Sequence, residues 1–183
     1  MDKLDIVTDE SGNKVVLLPE IIFSNKQNIN WNDVEDYLGK YVGELIEIAE
    51  TRDIIYIGNK FPDEYGGSSY TRKTKGARAK AKANAAQGIR EMVEIATDKV
   101  YRENHKEKHS EDAHNGWFYY VTRFAIPLYD NEKKTGEYNV YSACLVVNHA
   151  ANGKMYLYDV VGIKKKRVTH SRLSSSQVVQ NRF

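Results

Sequence analysis

A chain of 183 residues, 41% hydrophobic and 28% charged, is long enough for one domain with its own core and too apolar for a disordered protein. Its 27 Lys and Arg against 25 Asp and Glu leave a net charge of +2, so the overall field does not mark a nucleic-acid binder. One cysteine, Cys144, excludes an intrachain disulfide, the polar start MDKLDIVTDESGNK is unlike a signal peptide, and no apolar run is long enough to span a bilayer. A reducing bacterial cytoplasm is the expected compartment.

Residues 1–13 read as a loose polar start. Residues 14–23, KVVLLPEIIF, read as a short apolar strand interrupted by Pro19, an edge strand or a lead-in. Asn30 is a good N-cap, Asp33 falls in the first turn, and Trp31, Val34, Tyr37, Leu38 and Tyr41 follow helical spacing, so a helix is predicted over 31–42. Alternation over 44–49 and 53–57, with a short turn between, predicts a hairpin. The Pro, Gly and Ser content of 58–70 predicts a surface loop.

The clearest helix is 74–88. Ala77, Ala81 and Ala85 recur every four residues and, with Asn84 and Gly88, form a small-residue stripe suited to close packing. Lys75, Arg78 and Lys82 are expected on an adjoining face. Residues 91–104 are read as a strand, although Met92, Val93 and Ala96 also allow the helix to continue. Lys108, His109, Asp112 and His114 then lead to the turn dipeptide Asn115-Gly116. Strands are predicted over 118–129, 138–147 and 155–163, with turns at 131–137 and 151–153. The sum is an α+β domain over 1–166, N-terminal helices packed on an antiparallel meander of about four strands. Residues 167–183 form a polar tail, expected to be flexible.

Charge is uneven along the chain. Residues 71–90 hold seven Lys or Arg and no acid, and Lys164, Lys165, Lys166, Arg167 and Arg172 cluster near the end. Such asymmetry can build a basic face on a nearly neutral protein. His105, His109 and His114, with Glu107, Glu111 and Asp112 among them, have no recognised zinc-ligand spacing, so neither metal nor cofactor is expected.

The strings AKAKANAAQGIREMVEIAT, KHSEDAHNGWFYY, RFAIPLY, YNVYSACLVVNHAANGKMYLYDV and IKKK resemble a domain of polyvalent proteins carried by phages and conjugative elements. That domain is grouped with the barnase–EndoU–colicin–RelE-like nucleases, and the resemblance covers residues 50–166. It implies helices on a four-stranded antiparallel sheet, metal-independent cleavage of RNA, and a cognate immunity or antitoxin protein. One departure is Asn148, where the resemblance implies a basic residue before the histidine of the third strand.

Metal-free RNA cleavage needs a base for the 2′-hydroxyl proton, an acid for the leaving oxygen, and fixed cations around the phosphate. His109 is the expected proton carrier, with Lys108 beside it and His149 as a second histidine. Arg123 is expected to hold the scissile phosphate through its two-pronged guanidinium. Lys75, Arg78, Lys82, Lys164 and Lys165 are expected to track the phosphate backbone. The alternative is a binding module for nucleic acid or protein that has the same fold and no catalysis.

Overall fold

The computed structural model describes residues 2–25, 27–105 and 113–166, and the backbone of 172–173. The strands are β1 (Ile6–Thr8), β2 (Lys14–Leu17), β3 (Leu45–Glu47), β4 (Ile54–Tyr56), β5 (Thr97–Arg102), β6 (Trp117–Asp130), β7 (Lys133–His149), β8 (Met155–Lys165) and β9 (Arg172–Leu173). The helices are α1 (Trp31–Leu38), α2 (Phe61–Gly67), α3 (Ser69–Lys73), α4 (Gly76–Ala85) and α5 (Ile89–Glu94). The fold is α+β. The expected meander is only the middle of a larger sheet. β5 to β8 run antiparallel in sequence order, and parallel pairs of β2 on β6 and β4 on β8 extend them into a mixed sheet, nine-stranded among the described residues and curled as a half-barrel.

The long hairpins follow from turn chemistry. Asn131 and Glu132 both have positive φ, at 46° and 68°, which makes the two-residue turn that suits the twist of β6 and β7. Residues 133–137, expected in the turn, therefore belong to β7. Residues 1–13 are not a loose start, because Ile6–Thr8 pairs with β2 and takes the edge that β2 was expected to occupy. The expected loop at 58–70 folds as α2 and α3, with Pro62 near the start of α2 and Ser68 capping α3 through the Thr71 amide. Residues 91–104 divide. Met92 and Val93 are buried in α5, and pairing with β6 begins at Thr97. Of the expected tail, 172–173 pair with Tyr138 and Asn139 of β7, and its other residues lie outside the described set.

α1 follows its cap. The Asn30 side chain accepts from the Asn32 amide, and Val34 and Leu38 turn inward. α4 is built from small residues, and Ala81 and Ala85 are buried as the stripe predicts, whereas Ala77 is exposed. Asn84 clamps the segment after β2. Its Oδ1 accepts from the amides of Ile22 and Phe23, and its Nδ2 donates to Phe23 O. The Tyr41 hydroxyl reaches the carbonyl oxygens of Ala86 (2.7 Å) and Gln87 (3.0 Å), where α4 passes into α5. These contacts satisfy polar groups that would be costly to bury unpaired.

Opposed residues in antiparallel strands share a face. Phe118, Tyr120, Thr122 and Phe124 of β6 therefore lie with Val147, Leu145, Ala143 and Tyr141 of β7 on the face packed by α4 and α5. Trp117, Tyr119, Val121 and Arg123 lie on the other face, opposite Asn148, Val146, Cys144 and Ser142. β8 continues those rows with Tyr156, Asp159, Val161 and Lys164.

Candidate functional site

A cleft of about 590 Å³ opens on the sheet face that carries Trp117 and Tyr119. Its floor carries Trp117, Tyr119, Val146, Tyr158, Asp159 and Val161. One wall is the end of β5 and the segment after it, with Arg102, Asn104 and His105. The other is the α2–α3 junction, with Glu64, Ser68, Tyr70 and Arg72.

The floor owes its shape to two irregularities in β8. Val146 faces Asp159 and Val147 faces Leu157, so the register shifts by one residue at Tyr158. A second bulge sits at Gly162, whose φ is +60°, between Val161 and Lys164. Bulges re-aim side chains, and here they let Leu157 and Ile163 stay in the core while Tyr158 and Asp159 line the cleft. Tyr158 meets the Trp117 ring edge to face at 5.1 Å. The Arg102 guanidinium lies 5.5 Å from the centre of the Tyr119 ring, within cation–π range.

Asp159 is 2% exposed and Lys82 is fully buried, and Lys82 Nζ donates to Asp159 Oδ1 at 2.5 Å. The Val160 amide donates to the same oxygen at 2.8 Å, and Ser68 also hydrogen-bonds the carboxylate. Lys82 lies over the rings of Tyr65 (4.5 Å) and Tyr70 (5.0 Å). Burial pushes the Asp159 carboxyl up from its usual range, against the pull of Lys82, and pushes the Lys82 ammonium down. The cleft floor thus holds a carboxyl whose proton affinity is shifted toward neutrality.

The sequence candidates are distributed differently from the expectation. Lys108 and His109 lie outside the described residues. Arg123 is half-buried, with its Nε unpartnered. It lies where β5 and β2 share one edge of β6, β5 pairing as far as Val121 and β2 starting at Phe124. A separate pocket of about 370 Å³, with Lys14, Glu50 and Glu94 on its walls, opens there. His149 is on the opposite face of the sheet, its ring 5.5 Å from Phe118. Its backbone pins the turn before β6, donating to Gly116 O and accepting from the Asn115 amide. Strand alternation therefore keeps Arg123 and His149 from acting on one phosphate.

Lys82 leaves the expected basic face for the core, because it is the counter-ion of Asp159. Lys75 and Arg78 are exposed and line a shallow pocket of about 470 Å³ that meets the main cleft at Tyr70. The Tyr70 hydroxyl accepts from the Ile163 amide at 2.9 Å, which ties this region to the end of β8. Lys164 there shares the cleft face with Ser142, and Lys165, opposite Tyr141, points to the other.

Periodicity and motifs do not mark Arg72, Arg102 or Asp159, and His105 stands out only as a candidate metal ligand. Asp159 had a signal, being a lone carboxylate inside the apolar run MYLYDVVGI. Among the described residues no three His, Cys, Asp or Glu side chains are grouped to hold a metal ion, and no helix is long and apolar enough to cross a membrane. Cys144 is half-buried and burial raises its thiol, which does not favour the reactive thiolate. No family model, curated protein or solved structure matches the chain.

Proposed function

We propose that this protein is a metal-independent endoribonuclease of the barnase–EndoU–colicin–RelE-like kind, cutting RNA by attack of the 2′-hydroxyl on the adjacent phosphate. The observation that carries the proposal is one cleft that gathers Arg72, Arg102, His105 and Asp159 with three aromatic rings, Trp117, Tyr119 and Tyr158. Arginine forks suit a phosphate whose charge grows in the transition state. His105 carries the proton from the 2′-hydroxyl, since a neutral imidazole has a ring nitrogen free to accept it. Asp159, held by Lys82 and Ser68, supplies a carboxyl with raised proton affinity on the floor. The aromatic rings offer stacking surface to unpaired bases. The resemblance supplies the rest: a cellular RNA as substrate, a mobile element as carrier, the bacterial cytoplasm as site of action, and an immunity or antitoxin protein that restrains the enzyme.

The test is incubation of purified protein with total RNA, with and without EDTA, followed by end-group analysis. The expected products end in 2′,3′-cyclic phosphate whether or not EDTA is present. His105→Ala is expected to lower the rate by about 10²–10⁴-fold, the usual loss for a positioned acid or base. His109→Ala, assayed beside it, compares the two histidines directly. If no RNA is cut, or if cutting survives His105→Ala unchanged, His105 is not the proton carrier. One observation favours a second reading. Three donors already hold the Asp159 carboxylate, an arrangement suited to a fixed binding surface. RNA bound in the cleft but left intact would identify a binding module.

A further inference from the structure

A smaller cleft, about 280 Å³, joins the main one, and Glu64 and Tyr158 line both. Its floor is the cross-strand pair Asn148 and Tyr156, and its far wall is the start of α2 at Lys60 and Phe61. Asn148 is 8% exposed, and its Oδ1 has no hydrogen-bond partner. Buried polar atoms nearly always find partners, because an unpaired one forfeits its hydration without return. An unpaired amide oxygen on a residue that lines an open cleft is an acceptor placed for an incoming N–H.

The surroundings narrow what brings that N–H. Tyr156 is braced, its ring 5.7 Å from that of Tyr56 and close against Gly58, where a Cβ would stand 3.3 Å from the Tyr156 ring. One side of the cleft is therefore a braced aromatic surface, while Lys60 and Glu64 stand on the α2 side. Its volume falls just below that of common small-molecule sites, which suits one flat ring system. Arg72 and Arg102 stand in the adjoining cleft, where a strand's phosphate would lie.

We propose that the smaller cleft is a subsite for one nucleobase of the bound strand, with Asn148 Oδ1 accepting from an exocyclic amino group. Adenine, cytosine and guanine carry such a group, whereas uracil has only its ring N3–H, flanked by two carbonyl oxygens that would crowd the Asn148 oxygen. The inference deepens the ribonuclease proposal and rests on it for the identity of the ligand.

The experiment measures binding of AMP, CMP, GMP, UMP and ribose 5-phosphate by calorimetry, to wild type and to Asn148→Ala, and maps cleavage sites on RNA with the same two proteins. At least one amino-bearing nucleotide is expected to bind wild type about three- to tenfold more tightly than UMP and ribose 5-phosphate, the worth of one hydrogen bond. Asn148→Ala is expected to abolish that margin. In the cleavage map, the base preference beside the cut is expected to flatten. If all four nucleotides bind wild type no better than ribose 5-phosphate, the subsite is overturned without any variant. It is equally overturned if the preference survives Asn148→Ala. RNA cut with no base-dependent binding removes the subsite and leaves the nuclease. Base-dependent binding lost in Asn148→Ala, with no RNA cut, keeps the subsite and removes the catalysis.

Discussion

Lys82 and Asp159 are the residues on which core and cleft both depend. The pair is almost wholly out of water, so each charge relies on the other and on the donors around it. Removing one partner of such a pair leaves an uncompensated buried charge. Lys82→Met is therefore expected to cost about 3–5 kcal/mol of stability. Replacing both partners removes the charges together, and Lys82→Met combined with Asp159→Leu is expected to regain most of that loss. Urea unfolding of the two single variants and the double variant checks this, and additive losses would show that the two side chains act independently. The sequence marked Lys82 only as a member of a basic helix. A lysine in an alanine-rich helix looks the same whether it faces solvent or a carboxylate 77 residues away. The partner comes from tertiary structure, which local pattern does not carry.

At the scale of elements, local rules read the long strands and α1 well. Turn dipeptides, an N-cap and period-two alternation are all nearest-neighbour properties. They failed where the backbone breaks period. The Tyr158 bulge shifts β8 by one residue, so alternation through MYLYDVVGI does not show that Tyr158 and Asp159 both line the cleft. α2 and α3 also went unread, because Pro at a first helical turn and Gly-Gly at a helix end look like loop composition. Gly116 shows how tightly one turn is built. Its φ is +96°, and a Cβ there would stand 2.6 Å from the Tyr101 ring and 2.7 Å from the Arg102 carbonyl oxygen. Gly116→Ala meets both a disfavoured backbone region and a backbone atom that cannot move away cheaply. It is expected to lower stability by at least ~1 kcal/mol. It is also expected to weaken RNA binding, since displaced β5 carries Arg102 into the cleft wall. Thermal unfolding and RNA titration of the variant check both, and a variant with wild-type melting would mean that the turn relaxes freely.

At the scale of the whole molecule, a net charge of +2 conceals a sided distribution. Arg72, Arg102, Lys75, Arg78 and Lys164 border the cleft, its Tyr70 margin or its sheet face, whereas Lys165 points away. Bound single-stranded RNA releases counterions in proportion to the phosphates neutralised. Lys75→Ala, Arg78→Ala and Lys164→Ala are each expected to reduce the slope of log affinity against log salt by about 0.7. Lys165→Ala is expected to leave the slope unchanged, and an equal effect at Lys165 would remove the cleft face from the binding path. The shared edge of β6 has a further consequence, in the order in which the chain is made. β2 leaves the ribosome more than a hundred residues before the strand it joins, Val16 preceding its partner Phe124. The hairpins of β6, β7 and β8 close over short turns and can assemble as they emerge, while the first strands wait for an edge to dock on. The cleft draws on residues from Glu64 to Val161, so its floor is missing until β8 has been synthesised, and a shorter nascent chain carries no complete site.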